Sequence, residues 1–281
     1  MFTTLISPQQ LADRLDSPSC IVIDCRFDLM KPDAGEQAYA AGHIPGALFA
    51  HMERDLSGPK TPTTGRHPLP SVTELAQTFG RWGIDAGKQV IAYDADAGAG
   101  AARLWWLLRW LGHDAVAALN GGFKAWQAMQ LPISTTAATV KSATFQPAVR
   151  EELLVDAEFV ARCARDPAWR ILDARAPERF SGQVEPIDPV AGHIPGARNH
   201  PFALNLDANG QFLPTAELAA RYRQSIDDAA PDHVVAMCGS GVTACHNLLA
   251  METAGLRGAK LYAGSWSEWI RDAARPVMRN S

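Results

Sequence analysis

The heptapeptide AGHIPGA occurs at residues 41–47 and again, identically, at 191–197. A strand-like run ending in Asp-x-Arg precedes each copy: IVIDCR at 21–26 and ILDAR at 171–175. Seven identical residues in matching contexts mark an internal repeat, which constrains the fold before any residue is read for chemistry. The order continues downstream. QVIAYDADAGAGAARLWWLL (89–108) parallels HVVAMCGSGVTACHNLLA (233–250), and ALNGGFKAW (118–126) parallels KLYAGSWSEW (260–269). A chain of 281 residues is longer than most single cores, so the repeat unit is a domain, present twice.

Each copy alternates short apolar, β-rich runs with amphipathic segments. The runs fall at 21–24, 90–93 and 116–119 and again at 171–173, 234–237 and 259–262; SVTELAQTFGRWG (71–83) and TAELAARYRQSI (215–226) carry helical spacing. Short buried strands separated by helices pair in parallel, with helices on both faces. The fold class is therefore α/β, two domains each built on a mainly parallel sheet. The Thr-, Ser- and Ala-rich stretch 131–150 has no helical period, which gives a first domain at 1–132, a linker at 133–150 and a second domain at 151–281.

Composition narrows the partners. Twenty-six Lys plus Arg against 30 Asp plus Glu give a formal charge of −4, without a basic run, which excludes nucleic acid or an anionic membrane as the main partner. The start MFTTLISPQQLADRL lacks the cationic and apolar regions of a targeting peptide, and LWWLLRWLG is too short to span a bilayer. A cytoplasmic protein is expected. Five irregularly spaced cysteines form neither a disulfide framework nor a zinc site, so no metal and no cofactor is expected.

The chemistry concentrates in Cys238-Gly239-Ser240-Gly241-Val242-Thr243, between a strand and a helix. Glycines leave backbone N–H groups uncovered and able to converge in front of the loop, and the helix adds its positive end, with Thr243 as its expected N-cap. Such a loop suits a cysteine sulfur anion and the terminal sulfur it carries. In the first copy Asp94 stands opposite Cys238, an exchange that places the position at an exposed strand end, where open α/β sheets bind ligands. A Walker loop would need a Lys that is missing, and a Cys-x5-Arg phosphatase would need Arg where Ala244 stands. Gly98-Ala99-Gly100 reads as a degenerate counterpart, since Arg103 occupies the third glycine of a dinucleotide turn.

YAAGHIPGA (39–47), AKLYAGSWSEW (259–269) and a cysteine loop in the second copy alone resemble the tandem-domain sulfurtransferases of the rhodanese family across essentially the whole chain. CGSGVTA (238–244) is similar to the loop of the members that use 3-mercaptopyruvate. The resemblance implies ping-pong transfer: Cys238 takes the donor's sulfur as a persulfide and passes it to cyanide, a thiol or thioredoxin. It assigns donor binding to Arg179 in APERF and to the loop residues Gly239, Gly241, Val242 and Thr243. Arg103 matches a first-domain arginine near the cleft, or else stacks on its neighbouring tryptophans. Ser240 is either a proton relay to the departing enolate or a turn serine. His43 and His193 brace the repeated turns, or else His43 faces the cleft between the domains, and Cys245 is a packed thiol and not a resolving partner. One departure stands out: EPIDPVAGHIPG carries Ile187 where mercaptopyruvate enzymes have a second arginine, so a carboxylate clamp loses one fork. Thiosulfate is the alternative donor. A non-catalytic rhodanese-like binding module would need the cysteine absent from both copies.

Overall fold

The computed structural model describes residues 1–280, which group into two compact units. Their membership is not continuous along the chain: one unit takes residues 1–58, 69–150 and 208–212, the other 59–68, 151–207 and 213 onward.

The first unit runs β1 (Leu5–Ile6), α1 (Pro8–Ala12), β2 (Cys20–Asp24), α2 (Ala34–Ala41), β3 (Leu48–Phe49), α3 (Val72–Arg81), β4 (Gln89–Tyr93), α4 (Ala99–Trp110), β5 (Val116–Leu119) and α5 (Gly122–Ala128). Its sheet has the order β1-β5-β4-β2-β3 and every pairing is parallel. Capping boxes start α1 at Ser7 and α3 at Ser71–Glu74, where a side-chain oxygen takes an orphan N–H of the first turn. Ile6, Val22, Ile91, Leu119, Phe123 and Trp126 fill the core. The stretch 133–150, expected as a linker, lies along this unit. His43 and Ser134 exchange backbone hydrogen bonds, and the N–H groups of Ala143, Ala148 and Arg150 reach the carbonyls of Gly80, Leu111 and Trp110 at 2.9 Å each. Those carbonyls sit at the ends of α3 and α4; the extended chain supplies a partner to Trp110 and Leu111 and a second one to Gly80, which also accepts the Gly83 N–H at 3.0 Å.

The second unit repeats the plan with β6 (Leu154–Val155), α6 (Ala157–Cys163), β7 (Arg170–Asp173), α7 (Pro177–Ser181), β8 (Arg198–Asn199), α8 (Thr215–Ile226), β9 (Val234–Met237), α9 (Thr243–Thr253), β10 (Lys260–Tyr262) and α10 (Ser265–Trp269). Its sheet order is β6-β10-β9-β7-β8, again parallel throughout. Ile171, Val235, Met237, Tyr262, Trp266 and Trp269 pack its core. No helix among the described residues is long and apolar enough to cross a membrane.

The repeated motifs do the same job twice. Arg26 forks onto Asp24 and reaches the Gly42 carbonyl at 2.7 Å; Arg175 forks onto Asp173 and reaches the Gly192 carbonyl at 2.8 Å. His43 stacks on Tyr39 and His193 on Phe180, both at 3.9 Å, with each Nδ1 bonded to the carbonyl of its stacking partner. The charged pair beneath each GHIPG turn is thus shielded and paired, the condition under which buried ions are tolerated. Arg175 Nη1 makes no hydrogen bond and stands 3.5 Å from Glu185 Oε2.

Candidate active site

β9 is the central strand of its sheet, and the Cys238 loop leaves its carboxyl end. Gly241 turns the chain with φ +80, and a Cβ there would stand 2.3 Å from the Ala263 carbonyl oxygen, so neither conformation nor space admits a side chain. The turn aims the Gly241 N–H at Cys238 Sγ, 3.1 Å away. α9 begins at Thr243, so Thr243 is the first helical residue and not its cap: Val242, at the cap position, already has helical dihedrals and the end carries no side-chain cap. The helix still points its positive end at the loop. Ala244 through Met251 are all buried, so α9 is a core helix, and Cys245 packs with its thiol 3.2 Å from the Gly241 carbonyl oxygen.

The exposed position expected for Cys238 is not found: Cys238 is 2% and Asp94 8% accessible. In the first unit the Asp94 carboxylate accepts the N–H groups of Gly98 and Gly100, at 2.8 Å each, so the side chain itself occupies the amide cradle. Burial pushes Asp94 up to about 6 against the lowering pull of those amides. The equivalence of the two positions is geometric. Asp94 and Ala95 carbonyls accept from Phe123 and Lys124, as Cys238 and Gly239 carbonyls accept from Trp266 and Ser267.

The duplicated turns differ at one residue that matters. Gly122 adopts φ +57 in the first unit, and Ser265 adopts φ +54 at the matching place in the second. A non-glycine residue in that region is strained by about 1–2 kcal/mol. The hydroxyl gives the reason: Ser265 Oγ accepts the Cys238 N–H at 3.0 Å and donates to the Tyr262 carbonyl at 2.9 Å, which locks the backbone of the cysteine.

The segment 59–68 supplies two further side chains. A Cβ on Gly65 would stand 2.6 Å from the Gly264 carbonyl oxygen, so only glycine lets this segment seat, and the Arg66 N–H then donates to Ser267 Oγ at 3.0 Å. His67 follows, 2% accessible, with Nδ1 2.8 Å from Ser240 Oγ. Beside them lies a cluster of guanidinium groups and carboxylates. Arg179 forks onto Glu185 at 2.8–3.2 Å and reaches Asp188 Oδ2 at 3.1 Å; Arg66 Nη1 pairs with Asp188 Oδ1. Burial works to raise the Glu185 carboxyl, but Arg179 and the N–H groups of Asp188 and Ile187 outweigh it and hold it below the usual range. For Asp188 the balance is reversed: burial and the nearby Glu185 carboxylate raise it, in spite of Arg66 and Arg179.

Cys238, Gly239, Ser240, Gly241, Val242, Thr243 and Arg179 therefore come together in the second unit. Arg103 lies in the first unit. It is fully buried in α4, where Nε and Nη2 lie 3.3 and 3.2 Å from the Leu56 carbonyl oxygen, while the α4 arginine over a tryptophan is Arg109, on Trp105. Arg66, His67, Ser265, Ser267, Glu185 and Asp188 were not singled out from the sequence. A signal for two of them exists: aligning GRHPLPSVTEL (65–75) with GQFLPTAEL (210–218) sets Arg66 and His67 against Gln211 and Phe212, so these charged and titratable residues, like the cysteine, stand in one copy alone.

Two stretches, residues 7–129 and 156–272, match the rhodanese-like domain. The chain belongs to the rhodanese family. Over 275 residues, 97% of both chains, it is 50% identical to a rhodanese-family protein of Pseudomonas aeruginosa provisionally named 3-mercaptopyruvate sulfurtransferase. A relative from Mycobacterium tuberculosis, 38% identical over 283 residues and covering 99% of this chain and 97% of its own length, is provisionally named thiosulfate sulfurtransferase SseB. Among solved structures, 3-mercaptopyruvate sulfurtransferase from Leishmania major superposes with a TM-score of 0.83 at 32% identity, covering 95% of this chain and 74% of its own. The rhodanese fold thus accounts for both units.

Proposed function

We propose that this chain is a sulfurtransferase in which Cys238 carries sulfur as a persulfide, with 3-mercaptopyruvate as donor and a small thiol, thioredoxin or cyanide as acceptor, working in the cytoplasm. The observation that carries the reading is the Gly241 N–H directed at Cys238 Sγ beside the Arg179 and Arg66 guanidinium groups. Cys238 attacks as thiolate on the donor's sulfur. An S–S bond forms, the donor's C–S bond breaks, and its electron pair passes to the carbon that becomes the enolate of pyruvate. A proton then completes pyruvate, and Ser240 relays it in this reading, supported by His67 Nδ1 at 2.8 Å from its Oγ. The outer sulfur, anionic once deprotonated, stays in the field of the loop amide and the α9 terminus until the acceptor attacks it, which regenerates the thiolate.

Incubation with 3-mercaptopyruvate adds one sulfur atom to the intact protein, seen by mass spectrometry and removed by cyanide; a Cys238→Ser variant that still took up sulfur would sink the reading. Thiosulfate is the second reading, favoured by the uncharged Ile187 and by the name of the mycobacterial relative. Turnover on the two donors side by side separates them.

A further inference from the structure

We propose that Arg66 binds the donor's carboxylate, forming with Arg179 the two-guanidinium clamp that Ile187 leaves half-made; the inference rests on the sulfurtransferase reading above. The geometry sits on Gly239. A Cβ built there would stand 2.8 Å from Arg66 Nη2 and 3.5 Å from Arg179 Nη1, so two guanidinium nitrogens from distant parts of the chain converge on one point against the Cys238 loop. Gly239 needs no positive φ; its lack of a side chain keeps that point open.

Both nitrogens are the ones their own ion pairs do not use. Arg66 spends Nη1 on Asp188, and Arg179 spends Nε and Nη2 on Glu185 and Asp188. Among the described residues, Arg66 Nη2 and Arg179 Nη1 have no protein acceptor, and Arg66 Nε is buried without one. Asp188 holds the two arginines together, one on each oxygen, and so orients two forks toward one anion. A carboxylate with two oxygens matches two such donors. Ile187 cannot contribute: its side chain is 38% accessible and only its N–H enters the cluster, on Glu185 Oε1 at 3.1 Å. Arg66 fills the same role from another segment, anchored by Ser267 on its backbone and followed directly by the histidine on Ser240.

The test is steady-state kinetics on the full chain with 3-mercaptopyruvate, comparing wild type, Arg66→Ala, Arg66→Lys and Arg66→Ala/Ile187→Arg. Losing one charged hydrogen bond to the carboxylate raises KM by about 10- to 100-fold in Arg66→Ala with kcat at saturation nearly unchanged. Lys, a point charge without the fork, restores KM in part, and arginine at 187 restores it from the other side. Pyruvate, which has the carboxylate and no sulfur, protects Cys238 of the wild type from alkylation and protects Arg66→Ala far less. An unchanged KM and unchanged pyruvate protection in Arg66→Ala overturn the proposal, as does a fall in kcat with KM constant. A wild type that takes no sulfur from 3-mercaptopyruvate refutes the sulfurtransferase reading instead, and pyruvate protection still decides whether Arg66 holds a carboxylate.

Discussion

Replacing Ser265 by alanine and by glycine gives an inverted order of stability. The residue sits at φ +54, and its hydroxyl bridges the Cys238 N–H and the Tyr262 carbonyl at 3.0 and 2.9 Å in a fully buried position. Alanine keeps the left-handed strain and removes both hydrogen bonds, leaving a buried donor unmet, a loss of about 1–3 kcal/mol. Glycine removes the same bonds but relieves about 1–2 kcal/mol of backbone strain, while giving back about 0.4–1 kcal/mol through the freer unfolded chain. Ser265→Gly is therefore more stable than Ser265→Ala by about 0.5–1 kcal/mol, the reverse of the ordinary ranking of these two residues in a helix. Urea unfolding at fixed pH, with the transition of the second unit followed by its Trp266 and Trp269 fluorescence, measures the difference. Both variants also slow sulfur uptake, because the Cys238 amide is no longer held. Ser265→Ala as stable as Ser265→Gly would refute the strain argument, and an unaltered uptake rate would refute the link from Ser265 to the nucleophile.

Further outcomes follow from the same geometry. Gly241→Ala meets φ +80 and an Ala263 oxygen 2.3 Å from the new Cβ, so it destabilises the second unit by about 2 kcal/mol or more and loses most sulfur loading, read by unfolding and intact mass. Asp94 has its folded value raised from 3.8 to about 6, so the folded state binds more protons than the unfolded one between these values. Stability from this group is present below pH 4 and is lost as pH climbs to about 6, on the order of 2–3 kcal/mol in the first unit; Asp94→Asn flattens that slope in unfolding measured from pH 4 to 7. Ser240→Ala lowers turnover on 3-mercaptopyruvate by roughly 100-fold or more and leaves thiosulfate turnover nearly intact, because sulfite departs as an anion and needs no proton. Equal losses on both donors would remove Ser240 from the proton path.

The repeat made most of the architecture legible. AGHIPGA with its Asp-x-Arg run predicts two parallel α/β units, and the strands at 20–24, 89–93, 170–173 and 234–237 lie where the apolar runs place them. Chain pattern records local preference, and parallel strands buried on both faces leave an unbroken apolar signature. The nucleophile loop was legible for a related reason: a strand end, two glycines and a helix start are contiguous, so their chemistry is written in consecutive residues.

The sequence by itself determined the fold class, the twofold repeat and the glycine-flanked cysteine loop, and the family resemblance pointed to the arginine of APERF. Tertiary structure alone decided what surrounds the sulfur. It carries Gly65, Arg66 and His67 from a stretch with no secondary structure into the unit that holds Cys238, joins Arg66 to Arg179 through Asp188, sets Ser265 against the cysteine amide, and lets the Asp94 carboxylate take the cradle that Cys238 faces in the other copy. The pairings that bring in Arg66 and His67 are not local: Arg66 and Asp188 stand 122 residues apart, and His67 and Ser240 173 apart. Periodicity cannot encode contacts made across such separations, and they exist only once burial of the two cores has brought the segments together.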